Sequence, residues 1–297
     1  MKRLIFIHGR SQEDKDAVEL KKTWIKTLTE RWEKMGLSNP IEEERIRFPY
    51  YGDTLAQLCD GIPPEEAAKI VVRGATTSAE DNAQLSELLR TYYQSLDITD
   101  EEVEAELRNL EPGNVRERGA ANWGWVQAVI RVLDRHVPGS GAIIALVTND
   151  VHQYLTKDTV RITLERGVRE AFDPEDENIV VAHSLGTVVA YTLLTKLSAQ
   201  GGWRVPTLIT LGSPLGINNI RMHLDPVAHP ACVSEWFNAS DPKDVVALYP
   251  LTSKYFPVDP AITDKRDVKN WTKNKHGIAG YLDDEEVARR IHEALTR

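Results

Sequence analysis

The sequence predicts an α/β protein: a doubly wound, mostly parallel sheet flanked by helices, with a mainly helical insertion. Two observations carry this expectation. Short, nearly continuous apolar runs, each ending in a turn, alternate with longer segments of helical period. Runs that are apolar throughout suit strands buried on both faces, as in a parallel sheet covered by helices. The polar motifs also fall at the carboxyl ends of those runs, where open α/β sheets bind ligands.

In chain order, Leu4-Ile5-Phe6-Ile7 is the first strand and ends at His8-Gly9. A helix over Asp16–Met35 follows, with Val18, Trp24, Ile25, Leu28 and Trp32 at helical spacing. Arg45–Tyr50 reads as a strand ending at Tyr51-Gly52-Asp53. Residues 52–150 break the alternation. Ser78–Ser95 and Thr99–Leu110 are helically periodic, and Thr99 with Glu102 forms a capping-box pattern. Turn signals stand at Gly61–Pro64, Pro112-Gly113 and Pro138–Gly141. This stretch reads as a helical insertion, a cap or a side domain, within a single domain of residues 1–297. The alternation then resumes with a helix at Thr159–Phe172 and a strand at Ile179-Val180-Val181, ending at Ala182-His183-Ser184. A helix at Val188–Ser198 leads to a strand at Leu208–Leu211, which ends at Gly212-Ser213-Pro214. Glu235–Phe237 runs into Asn238-Ala239-Ser240-Asp241-Pro242, and a weak strand near Val268–Trp271 precedes Lys275-His276-Gly277. Asp284–Leu295 is the last helix. Such strand–helix order implies right-handed crossovers.

Composition excludes several classes. The 297 residues include 45 Asp and Glu against 36 Lys and Arg, a net charge of −9 that argues against a nucleic-acid partner. Two cysteines, Cys59 and Cys232, are too few for a disulfide framework or a zinc knuckle and read as core thiols in a reducing compartment. The apolar run at the start is four residues long, too short for a signal core, and no stretch reaches the roughly 20 apolar residues of a transmembrane segment. A cytoplasmic protein is expected. No glycine-rich phosphate loop follows the first strand, where Arg10-Ser11-Gln12-Glu13-Asp14 is acidic.

The sharpest chemical signal is Val180-Val181-Ala182-His183-Ser184-Leu185-Gly186-Thr187-Val188-Val189-Ala190, a strand, a tight turn and an apolar helix. A serine on such a turn projects its hydroxyl above the sheet, and residues two before and two after it must be small because strand and helix crowd there. Ala182 and Gly186 meet that need. A serine hydroxyl is a poor nucleophile without a base, and the base needs an orienting acid. His276, in a loop between the last strand and the last helix, is the candidate base. Asp244, followed by apolar Val245-Val246, is the favoured acid. Asp241, followed by proline and able to accept a turn hydrogen bond, is the alternative. The oxyanion of a tetrahedral intermediate would take the backbone N–H of Leu185, at a helix N-terminus, and that of Arg10 beyond the first strand. His8 and His183 read as hydrogen-bonding residues packed beside the serine turn. His223 and His229 flank Asp225 in an irregular loop, and no metal is expected there.

Together these residues resemble the α/β-hydrolase superfamily, and more closely its lipase and esterase branch. The resemblance rests on Phe6-Ile7-His8-Gly9, Ala182-His183-Ser184-Leu185-Gly186, Leu211-Gly212-Ser213-Pro214, Asp244-Val245-Val246 and the late His276. Alanine in place of the first glycine is also found in some bacterial lipases. Asp244 falls six residues beyond Asn238, similar to the strand-to-acid distance in compact lipases, which supports it over Asp241. The resemblance spans residues 1–51 and 151–297. It implies an α/β-hydrolase-like fold and hydrolysis of a small-molecule or lipid ester, or a thioester, through an acyl-serine with no metal or organic cofactor. Two alternatives share the fold: a lipase or phospholipase acting on membrane lipid, and a non-catalytic interaction protein. Tyr50, Tyr51, Trp123 and Trp125 could line an acyl pocket, but core and cap packing is their more ordinary use.

Overall fold

The computed structural model describes residues 1–9, 17–49, 78–110, 119–196 and 202–297. Arg10, the strand end at Tyr50 with its turn at 51–53, the turns at 61–64 and 112–113, and Cys59 lie outside the described residues. Within them, one parallel sheet holds six strands: β1 (Lys2–Ile7), β2 (Ile46–Arg47), β3 (Glu177–His183), β4 (Val205–Leu211), β5 (Val233–Ala239) and β6 (Thr263–Lys265). Their spatial order is β2-β1-β3-β4-β5-β6. The chain therefore winds one way from β1 to β2 and the other way from β3 to β6. The reversal opens a crevice beyond the carboxyl ends of β1 and β3, the place where doubly wound sheets hold ligands. The register sets Ile7 beside Ala182, so His8-Gly9 leaves the sheet next to His183-Ser184.

Alternation along the strands divides the core into two layers. Leu4, Phe6, Ile179, Val181 and Ile209 face one layer, with α1 (Ala17–Lys34), α9 (Ile278–Leu282) and α10 (Glu285–Thr296). Ile5, Ile7, Val180, Ala182 and Leu208 face the other, with α7 (Leu185–Lys196), α8 (Asn218–His223) and the helices of residues 78–169. Each of these side chains other than Ala182, removed from water, contributes roughly 1.5–3 kcal/mol. In α1 the buried stripe is Leu20, Trp24, Leu28 and Trp32, an i, i+4 series. Val18, expected in that stripe, is 52% exposed because it lies off the line of the other four. Asp284 caps α10 by accepting from the N–H groups of Glu286 and Val287.

The described helices between 78 and 169 are α2 (Ala79–Ser95), α3 (Asp100–Leu110), α4 (Trp123–His136), α5 (Gly141–Thr156) and α6 (Asp158–Arg169). Thr99 and Glu102 make the reciprocal capping bonds, 2.9 Å from the Thr99 N–H to Glu102 Oε2 and 3.2 Å from the Glu102 N–H to Thr99 Oγ1. Apolar residues of α2 to α6 share one continuous core with α7 and the sheet. Trp125 is buried there, whereas Trp123 is 40% exposed.

Two strand expectations are corrected. No strand forms at Val268–Trp271; the Asn270 N–H is taken by the Asp241 carboxylate at 2.7 Å, and the edge strand is the polar Thr263–Lys265. β2 is also shorter than expected. Glu43–Arg45 forms a 3₁₀ turn, and Pro49, lacking an N–H, cannot extend the ladder. Cys232 is half-buried, and its thiol donates to the Leu194 carbonyl at 3.9 Å. Among the described residues no helix is long and apolar enough to cross a membrane.

Candidate active site

Ser184 sits between β3 and α7 with φ of 55°, a left-handed conformation that costs a non-glycine residue about 1–2 kcal/mol. The surroundings hold it there. Its N–H donates to the Leu211 carbonyl at 3.1 Å, and its carbonyl accepts from the Thr187 N–H at 2.9 Å and the Thr187 hydroxyl at 2.7 Å. Close approach of the backbone demands glycine on both sides. A Cβ on Gly186 would stand 2.3 Å from the Ile7 carbonyl oxygen, and one on Gly9 would stand 2.6 Å from Ser184 Cβ. Of the two small residues predicted around the serine, Gly186 is therefore required by the crossing of β1 against the β3–α7 turn.

The structure brings Ser184, His276 and Asp244 together. His276 Nε2 lies 2.9 Å from Ser184 Oγ, and its Nδ1 lies 2.8 Å from Asp244 Oδ2 and 3.0 Å from Oδ1. All three side chains are buried. Burial would raise the Asp244 carboxyl, but the charge and hydrogen bond of His276, the Tyr281 hydroxyl and the Val246 N–H together hold it below the usual carboxylate value. Asp241 does not reach His276. Its carboxylate accepts from the backbone N–H of Lys243 and of Asn270, both at 2.7 Å, which makes it the organiser of the turn.

Leu185, as the first residue of α7, presents an N–H with no carbonyl four residues before it in the helix, beside Ser184. The second expected donor, the Arg10 N–H, lies outside the described residues. His8 donates from Nδ1 to the Gly9 carbonyl at 2.7 Å and stacks on Phe48, and burial lowers its pKa to about 4. His183 donates from Nε2 to the backbone carbonyl of His276 at 2.8 Å, and burial, then the neighbouring His276, lowers its pKa to about 3. Both rings are therefore neutral at pH 7, and His183 holds the backbone of His276.

Sequence reasoning missed the residues that aim the imidazole. Tyr281, fully buried, donates its hydroxyl to Asp244 Oδ2 and accepts from the Asp241 N–H at 3.2 Å. Asn274 Oδ1 accepts from the His276 N–H at 3.0 Å, and Asn270 Nδ2 donates to the Gly277 carbonyl at 2.8 Å. The Asn-x-Thr and Asn-x-His spacings were the available signal, since an Asn side chain closes a turn onto the N–H two residues on.

A cavity of about 300 Å³ opens over Ser184 and His276. Its walls are largely apolar: Leu20 and Trp24 of α1, Ile143 and Val147 of α5, and Ile278 of α9. Among the described residues no three His, Cys, Asp or Glu side chains group to hold a metal ion. The arrangement can activate a hydroxyl by proton transfer to an oriented imidazole, next to space for a small apolar group. No protein-family model, curated protein or solved structure matches the chain.

Proposed function

We propose that the chain is a serine hydrolase of α/β-hydrolase type, cleaving a carboxylic ester or thioester through an acyl-serine, with Ser184, His276 and Asp244 as its triad. The observation that carries this reading is the unbroken line of contacts from Asp244 through His276 to a Ser184 hydroxyl on a cavity wall. Ser184 Oγ attacks the substrate carbonyl while His276 Nε2 takes its proton. The same proton then goes to the leaving alcohol or thiol. In the second half, water attacks the acyl-serine and loses a proton to His276, which passes it to Ser184 Oγ as the bond to the acyl group breaks and the acid leaves. Asp244 accepts from Nδ1–H and so holds Nε2 as the basic nitrogen, and it stabilises the imidazolium that forms. The Leu185 N–H stabilises the oxyanion, with the Arg10 N–H as its partner; one such donor is worth about 3–4 kcal/mol in the transition state.

The apolar walls favour an apolar acyl group, and a cavity of about 300 Å³ favours a short one. A cytoplasmic location goes with this reading. The decisive experiment is exposure of the folded protein to a fluorophosphonate probe. Modification confined to the peptide bearing Ser184, and absent in Ser184→Ala, is expected. Folded protein that stays unmodified would refute the proposal. Turnover of nitrophenyl esters that peaks at short acyl chains is expected as well; activity that rises with chain length at micelle formation would instead favour a lipase.

A further inference from the structure

A second and larger cavity, of about 880 Å³, is lined by Asp244 but not by Ser184 or His276. Leu96 at the end of α2, Val137 and Pro138 after α4, and Val245, Leu248 and Pro250 make its apolar wall. Lys243, Lys273 and Lys275 line it as well, and none of the three has an ion-pair partner among the described residues. Lys275 is half-buried and Lys243 and Lys273 are exposed, whereas the half-buried Lys157, Arg45 and Lys265 are paired with Asp81, Asp176 and Asp267. The two carboxylates at the cavity wall offset the lysines only in part, two charges against three, and each is directed at other donors. Asp241 is taken up by two backbone N–H groups, and Asp244 by His276, Tyr281 and Val246. Arg266 adds a further cation at the edge, 3.5 Å from Asp264.

We propose that this cavity binds an acidic amphiphile, an alkyl chain ending in a carboxylate or phosphate. Lys243, Lys273 and Lys275 take the oxyanion, and the tail lies on the wall formed by Leu96, Val137 and Leu248. Three ammonium groups around a concave apolar floor match an anion whose remainder is apolar; a purely ionic ligand would leave the floor wet, and a neutral one would leave the lysines unmatched. The volume lies within the range of small-molecule sites. This site does not depend on the hydrolase reading. Of the described residues lining the two cavities, only Lys273 is common to both.

The test is calorimetric titration of the full chain with decanoate and with decyl phosphate, each below its micelle concentration. Saturable binding of at least one is expected, and the tighter of the two identifies the head group. The Lys243→Glu/Lys275→Glu variant, with wild-type circular dichroism and melting temperature, is expected to bind at least about tenfold more weakly. Decanol and inorganic phosphate, each lacking half of the recognised chemistry, are expected to fall short by a similar factor. A decanoate analogue with a diazirine in its tail should crosslink to peptides carrying Leu96, Val137 or Leu248. Absence of saturable binding, indifference to the double variant, equal binding of decanol or inorganic phosphate, or crosslinks confined to the peptides of Ile143, Val147 and Ser184 would each overturn the proposal.

Discussion

His276 and His152 are both buried, and each has a ring nitrogen 2.8 Å from an aspartate oxygen, but the two pairs are differently surrounded. Among the described residues Asp244 forms no ion pair with a lysine or arginine, and the far nitrogen of His276 meets a hydroxyl on a cavity wall. Asp81, the partner of His152, also takes the Lys157 ammonium at 2.8 and 2.9 Å and the Ser78 hydroxyl at 2.6 Å. Burial pushes the Asp81 carboxyl up, but Lys157, Ser78 and His152 together bring it down to about 2. The ammonium already satisfies its charge, so the pair fastens α2 to α5 and to the start of α6. Distance and burial do not distinguish a reactive histidine–carboxylate pair from a structural one. What the second nitrogen faces, and whether a rival cation occupies the carboxylate, does.

The largest expected effect lies at the first pair. Asp244→Asn should lower the rate of Ser184 acylation by roughly 10⁴-fold, because the wrong tautomer is held. Asp81→Asn, assayed on the folded fraction, should leave that rate unchanged; equal losses in active-site titration would erase the distinction. Stability should show the opposite pattern. Asp81→Ala strands a buried imidazole and an ammonium and should cost about 3 kcal/mol in urea unfolding. Ser184→Gly, which relieves a left-handed backbone, should gain about 1 kcal/mol while abolishing modification by the probe. A smaller effect is expected from Tyr281→Phe, which removes a hydrogen bond to a charged carboxylate: a loss of roughly tenfold in kcat/KM with little change in KM.

The mildest test is the pH dependence of stability. His8 and His183 drop from an ordinary 6.5 to about 4 and about 3, so the unfolded chain binds more protons below 6.5. Their contribution is complete above pH 6.5 and is lost as the pH falls toward 3. Asp81 and Asp176, lowered from 3.8 to about 2, contribute fully above 3.8 and lose that contribution between there and about 2. Urea midpoints should therefore decline in two stages on acidification. His183→Gln should flatten the upper stage and Asp176→Asn the lower; a single stage centred near pH 5 would contradict the assignment.

Legibility in the sequence followed physical cause. β1, β3 and β4 were readable because strands buried on both faces must be apolar at every position, and α1 and α10 because one buried stripe imposes a period. α5 was not readable as a separate helix. It is buried almost all round, so no polar face marks its period. β6 escaped for the opposite reason, since an exposed edge strand can be polar throughout. His276 could be short-listed from its position after the last strand, and Asp244 was favoured over Asp241, three residues earlier on the same turn, by the apolar Val245-Val246 that follows it and by its distance from Asn238.

By itself, then, the chain determined the α/β class, the strands β1, β3 and β4, the helices α1 and α10, and the turn on which Ser184 stands, because these follow from local pattern and backbone sterics. Only the tertiary structure decided that Asp244 rather than Asp241 meets His276, that Tyr281 bridges the two aspartates, and that three lysines from two loops line one cavity. Those outcomes rest on hydrogen bonds and charges brought within a few ångströms across long stretches of sequence. Such proximity is created by the packing of the sheet and its layers and leaves no periodic trace along the chain.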